Sequence, residues 1–196
     1  MFSEIPDSIL KRMKYLENND KKDREDGTER LKRLRQIPPE TGKFIALLAA
    51  NCPKGECLEI GTSGGYSALW LSLAMKERNS QLITYEILPE KVAIARETFA
   101  IPEVSPWVKL VDADFLAAPD TAASIAFCFI DCEKHLYEAC FDRVAPKMVS
   151  GGMIVADNAI NHYEHLKGMM NKAENDPRFD CLTVPICKGE FVCRRK

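Results

Sequence analysis

The stretch that most constrains this chain is residues 57–67, CLEIGTSGGYS. An apolar run carrying one carboxylate, Glu59, breaks into a small-residue loop, and an apolar helical pattern follows directly. Strand, glycine loop and helix start in that order make a nucleotide-type site. Gly61, Gly64 and Gly65 can take backbone angles closed to other residues, and the helix beginning near Tyr66 offers unpaired N–H groups. Glu59 narrows the ligand: it would repel a diphosphate, but it can hold hydroxyls, an ammonium or a sulfonium.

Beyond this loop, strands and helices alternate to the end of the chain. The pattern predicts strands near 56–61, 81–86, 107–111, 125–131 and 151–156, with helices near 65–78, 89–100, 134–148 and 159–174. Two further strand-like runs, Cys181 to Val184 and Glu190 to Arg194, flank a turn at Lys188 and Gly189. The expected fold class is α/β: a doubly wound, mostly parallel seven-stranded sheet with helices on both faces and a C-terminal antiparallel hairpin. Ahead of it, Pro38 and Pro39 open a helix whose apolar face reads as Phe44, Leu47 and Leu48, closed by Asn51 and Pro53. Residues 1–37 form a charged segment with two helical stripes, Ile9, Leu10, Met13, Leu16 and then Leu31, Leu34, Ile37, joined by the linker NNDKKDREDG. That segment is expected to serve as a lid, or to supply ligand or dimer contacts, ahead of a single α/β domain over 38–196.

The bulk properties exclude several classes. A net charge of -2 gives no global attraction to nucleic acid or to an anionic membrane. No apolar run approaches the roughly 20 residues a membrane helix requires, and the first residues show no signal-peptide pattern, so a cytoplasmic protein is expected. The eight cysteines contain no Cys-x-x-Cys pair and read as reduced, mostly buried thiols.

Three readings compete for the glycine loop. A dinucleotide fingerprint fails because Ser63 stands where a second glycine should let a pyrophosphate approach. Gly61-Thr62-Ser63-Gly64-Gly65 matches a hydrolase nucleophile elbow, with Asp157 and His162 or His165 in the right chain order. However, Ser63 follows the first strand, and no earlier strand is available to carry an oxyanion loop. The third reading pairs Glu59 with Glu86, at the end of the next strand, where it can accept both ribose hydroxyls of a nucleoside lying over the loop. Two carboxylates without a phosphate-binding group suit S-adenosylmethionine.

Four segments in order, LEIGTSGGYSALWL, YEILPEKVAIAR, FIDCEKHLY and GGMIVADNAI, resemble the successive motifs of the catechol and caffeoyl-CoA O-methyltransferase family of class I methyltransferases, whose fold is Rossmann-like. The resemblance spans roughly residues 38–194. It implies that Glu59 and Gly61 line the methionine end of the cofactor, with Ser63 and Gly65 in the same loop. It further implies that Ser67 holds the carboxylate, Glu86 the ribose, and Ala113 and Asp114 the adenine. The charged N-terminal segment departs from the family, which leaves the acceptor as the weakest inference.

Asp131 ends one apolar strand, and Asp157 with Asn158 ends another. On neighbouring strands these three would meet at one sheet edge as hard oxygen donors suited to Mg²⁺, or to Ca²⁺ or Mn²⁺. Strand-end aspartates also commonly cap the helix that follows, which is the competing explanation. The resemblance assigns Asp131, Asp157 and Asn158 to a metal, and Lys134 with Asp131 to catalysis. Tyr137 reads as packing on the same face. The sequence thus implies an S-adenosylmethionine-dependent O-methyltransferase acting on a small hydroxylated, catechol-like acceptor, with an N-terminal stripe suited to sealing a homodimer. Two alternatives stay open: a metal-independent methyltransferase of another acceptor class, RNA included, and a non-catalytic nucleoside-binding module.

Overall fold

A computed structural model describes all of residues 1–196. The strands are β1 (Glu56–Ile60), β2 (Leu82–Glu86), β3 (Val108–Asp112), β4 (Ile125–Ile130), β5 (Met148–Asp157), β6 (Phe179–Val184) and β7 (Glu190–Arg195). The helices are α1 (Asp7–Glu25), α2 (Pro39–Asn51), α3 (Tyr66–Arg78), α4 (Pro89–Phe99), α5 (Tyr137–Val144) and α6 (Tyr163–Glu174). All seven strands form one sheet in the order β3-β2-β1-β4-β5-β7-β6. The first five are parallel, and β7 runs antiparallel between β5 and β6. No helix is long and apolar enough to cross a membrane.

The sheet has an apolar layer on each face because side chains alternate along its strands. Phe127 and Phe129 of β4 pack with α1–α4, whereas Cys128 and Ile130 pack with α5 and α6. As the middle strand, β4 is buried at every position, which is why IAFCFI reads as a continuous apolar run rather than an alternating one.

Four expectations change in detail. The helix expected over 134–148 is only Tyr137–Val144 with a short 3₁₀ turn at each end, since Pro146 cannot continue it; β5 accordingly begins at Met148. The helix expected from 159 starts at Tyr163, after Asn158 takes a left-handed φ of 71°. In α2 the buried stripe is Thr41, Gly42, Ile45, Ala46 and Ala49, while Leu47 is exposed. Small residues win this face because α2 lies directly on α3: a Cβ at position 42 would stand 2.2 Å from Trp70 Cδ1.

The N-terminal segment differs most. The expected linker is helical, because α1 runs on through charged helix formers supported by an Asp20–Arg24 pair at 2.9 Å and stops just before Gly27 at φ 84°. The second stripe is not a helix. Residues 26–38 form a strap, terminated by Pro38 and Pro39 and pinned by α1 carboxylates: the Leu34 amide donates to Asp23 at 3.1 Å and the Gln36 amide to Asp20 at 3.3 Å. Leu34 and Ile37 are buried beneath it.

Candidate active site

In a sheet ordered this way, the carboxyl ends of β1 and β4 mark the point where the chain's winding reverses, and a crevice opens there. Gly61 and Asp131 close its floor. A Cβ on Gly61, whose φ is 102°, would lie 2.4 Å from the Asp131 carbonyl oxygen, so only glycine lets the two strand ends approach. Above them is a cavity of about 630 Å³, within the range of small-molecule sites.

One part of the wall carries the residues expected to hold a nucleoside: Gly61, Ser63, Ser67, Glu86, Ala113 and Asp114 all line it. The Glu86 carboxylate accepts from the Ser63 amide at 2.7 Å and from the Ile87 and Leu88 amides at 2.9 and 3.0 Å. It therefore organises the loop as well as facing the cavity. Ser63 sits at φ 49°, and its hydroxyl donates to the Leu34 carbonyl of the strap at 2.7 Å. A nucleophilic serine needs an imidazole to accept its proton; this one is spent on tying the strap to the loop.

Glu59 and Gly65 do not reach the cavity wall. Gly65 caps α3 at φ 90°, where a side chain would strike the Phe99 ring. Glu59 is fully buried beneath the loop: Oε2 accepts from the Thr84 hydroxyl at 2.5 Å and Oε1 has no partner. Burial raises its carboxyl to about 7, and the Thr84 hydroxyl bond opposes that rise.

The other part of the wall carries the acidic residues. Ile130 pairs with Ala156, so Asp131 and Asp157 follow as neighbours on adjacent strand ends, and both line the cavity with Asn158 and Lys134. Lys134 Nζ donates to Asp131 Oδ1 at 3.0 Å and to the Tyr137 hydroxyl at 2.6 Å. Tyr137 is therefore a polar partner of this cluster as well as a packing residue, an assignment that apolar spacing cannot make. Burial first, then the Asp131 charge, raises the Asp157 carboxyl to about 6.

Glu190 is the residue the sequence reading missed here. It opens β7 opposite Asp157 and is fully buried; Oε1 accepts from the Thr41 hydroxyl at 3.3 Å and Oε2 has no partner. Burial, then the Asp157 charge, pushes its carboxyl well up. Its place in the alternation of a terminal hairpin gave no signal of this.

Nowhere do three His, Cys, Asp or Glu side chains converge closely enough to hold a metal ion by themselves. The donor chemistry nevertheless fits a hard cation: two mutually repelling carboxylates and an amide oxygen, with water and an acceptor left to complete the shell. His162 stands at the cavity rim ahead of α6. All eight cysteines are free, and Cys132 and Cys140 lie 3.9 Å apart beside the cavity.

A sheet of this order, with the crevice at the end of β1 and β4, defines a class I methyltransferase fold. The SAH-bound methyltransferase PaMTH1 of Podospora anserina superposes with a TM-score of 0.79, at 20% identity, over 98% of this chain and 89% of its own. A family model described as O-methyltransferase matches residues 14–196, and the chain belongs to that family. Among curated relatives, a catechol O-methyltransferase of Niastella koreensis is 33% identical over 129 residues, covering 63% of this chain and 58% of the relative. A caffeoyl-CoA O-methyltransferase of Pinus taeda is 27% identical over 188 residues, covering 80% and 70%. The chain thus matches little more than half the length of the Niastella relative.

Proposed function

We propose that this protein is an S-adenosylmethionine-dependent O-methyltransferase that methylates one of two adjacent hydroxyls on a small, catechol-like acceptor, with a divalent cation held by Asp131, Asp157 and Asn158. The observation that supports it most is that one cavity is lined both by Gly61, Ser67, Glu86 and Ala113 and by Asp131, Lys134, Asp157 and Asn158. Cofactor and acceptor would then meet without any movement of the sheet. S-adenosylmethionine would supply a sulfonium methyl, and a divalent cation held by Asp131, Asp157 and Asn158 would supply Lewis acidity toward an acceptor hydroxyl.

The chain's own residues do the rest. Glu86 accepts a ribose hydroxyl on the one carboxylate lone pair that the three loop amides leave free. Ser67, in the first turn of α3, offers its amide and hydroxyl to a carboxylate. As the neutral amine, Lys134 takes the acceptor proton at Nζ and becomes the ammonium that Asp131 pairs with, while Asp131 and Tyr137 keep that nitrogen aimed into the cavity. Holding both reactants in one crevice converts a bimolecular encounter into an oriented one.

Calorimetry with S-adenosylmethionine tests the cofactor half. Wild type should bind, and Glu86→Ala should bind at least tenfold more weakly; equal binding by both would sink the assignment. EDTA should abolish transfer and Mg²⁺ restore it. Transfer that survives EDTA would favour the metal-independent class instead.

A further inference from the structure

Lys91 is the only lysine or arginine that the fold buries. It stands in the first turn of α4, the helix that follows Glu86, and is 3% exposed. What little of it stays accessible opens on the cavity, whose wall it shares with Glu86, Ile87 and Leu88. The other cations of that wall are engaged or reached by water. Arg35 pairs with Glu133, Lys134 with Asp131, and Arg33 donates to the Thr28 carbonyl, while Arg30 is exposed and Lys188 half-buried. The Lys91 ammonium has neither a hydrogen-bond nor an ion-pair partner.

Such a placement is costly. Burial strips water from the charge, and the start of a helix adds a positive field of its own. Burial first, and the Arg35 charge next, hold the Lys91 ammonium below the ordinary lysine range, against the pull of Glu86. A polar group bound in the cavity would offset that cost.

Glu86 shows which polar group is missing. A carboxylate has about four acceptor positions, and three are filled here: Oε1 accepts the Ile87 and Leu88 amides, and Oε2 accepts the Ser63 amide. Oε1 is saturated, and Oε2 keeps room for one hydroxyl. A ribose brings two, on adjacent carbons. Ile87 and Leu88 present apolar side chains, and their amides are already given to Glu86. Lys91, whose own amide bonds the Leu88 carbonyl at 3.0 Å, is the polar side chain that remains on this part of the wall.

We propose that Lys91 is a cofactor-binding residue, donating from Nζ to the ribose hydroxyl that Glu86 has no lone pair left to accept. The proposal rests on the S-adenosylmethionine reading and deepens it: the two hydroxyls are read separately, one by an acceptor and one by a donor. Lysine carries donors alone and ionised glutamate acceptors alone, so the two side chains are complementary. A cofactor lacking either hydroxyl would leave a buried charged group short of a partner, which costs more than losing a neutral contact.

The test is calorimetry on the full chain with S-adenosylhomocysteine and its 2′-deoxy and 3′-deoxy analogues. Wild type should bind each analogue about tenfold or more weakly than S-adenosylhomocysteine, because each lacks one hydroxyl that the site serves. Lys91→Met keeps the stem and removes the donor. It should weaken S-adenosylhomocysteine about tenfold or more and weaken one deoxy analogue by the same factor. The other analogue, without the hydroxyl that Lys91 serves, should bind both proteins alike. Urea unfolding of the ligand-free proteins should give Lys91→Met a midpoint at or above that of wild type, since methionine fills the space without a buried charge. Three results overturn the proposal: wild type binding either deoxy analogue as tightly as S-adenosylhomocysteine, Lys91→Met weakening all three ligands equally or none, or a fall in its midpoint, which would assign the ammonium to the fold. Each of these leaves S-adenosylhomocysteine binding by wild type intact. Its absence would instead refute the cofactor reading, and this proposal with it.

Discussion

Glu59→Gln isolates the energetic consequence of placing a carboxyl beneath the cofactor loop. Glu59 is completely buried, and its carboxyl is raised from 4.5 to about 7, chiefly by desolvation. The folded protein holds this proton more tightly than the unfolded chain does. Its stabilising contribution is therefore complete below about 4.5 and is lost as pH rises through about 7. That rise corresponds to about 3 kcal/mol in full, of which about 2.5 kcal/mol falls between pH 5 and pH 8. Glutamine keeps an acceptor for the Thr84 hydroxyl and brings no charge. Urea unfolding of the ligand-free proteins at intervals from pH 5 to 8 gives the difference in stability, variant minus wild type. That difference should grow by about 2.5 kcal/mol across the range, with other titrating groups cancelling between the two proteins. Parallel profiles, differing by less than about 0.5 kcal/mol in slope over the range, would show that Glu59 ionises as freely in the fold as outside it.

Other substitutions probe separate links. Gly42→Ala forces a methyl into the Trp70 ring and should cost about 1–3 kcal/mol, read as a lower urea midpoint by tryptophan fluorescence. Ser63→Ala removes the bond to the Leu34 carbonyl and should cost about 1 kcal/mol. Wild type should also resist a fluorophosphonate, and labelling at Ser63 would revive the hydrolase elbow. Tyr137→Phe deletes one of the two side-chain partners of Lys134 Nζ and should lower kcat about tenfold without weakening S-adenosylmethionine binding. A parallel loss of cofactor affinity would mean that Tyr137 supports the fold rather than the lysine.

The sheet was legible because its signals are local. Alternating apolar runs and helical spacings place β1 to β7 within a few residues, and the strand-end positions of Asp131, Asp157 and Glu86 follow from them. What was not legible depends on contacts distant in sequence. The Leu31, Leu34 and Ile37 stripe has helical spacing, yet Pro38 and the Asp20 and Asp23 side chains draw it into a strap. On α2, Phe44 and Leu48 pack against the core as their spacing suggests, but Leu47 is exposed, because close packing on Trp70 selects Gly42 for the innermost face. Glu190 was invisible because its partner, Asp157, is far off along the chain and meets it only through the register of β5 and β7.

The central claim is methyl transfer in the cavity shared by the glycine loop and the Asp131–Asp157 edge. It is tested most directly by incubating the protein with methyl-labelled S-adenosylmethionine, Mg²⁺ and 3,4-dihydroxybenzoate, and analysing the products by mass spectrometry. The account predicts a labelled mono-O-methyl ether, lost in Asp157→Ala even though that variant still binds the cofactor. Full product formation by Asp157→Ala would contradict it, as would label on neither hydroxyl with wild type.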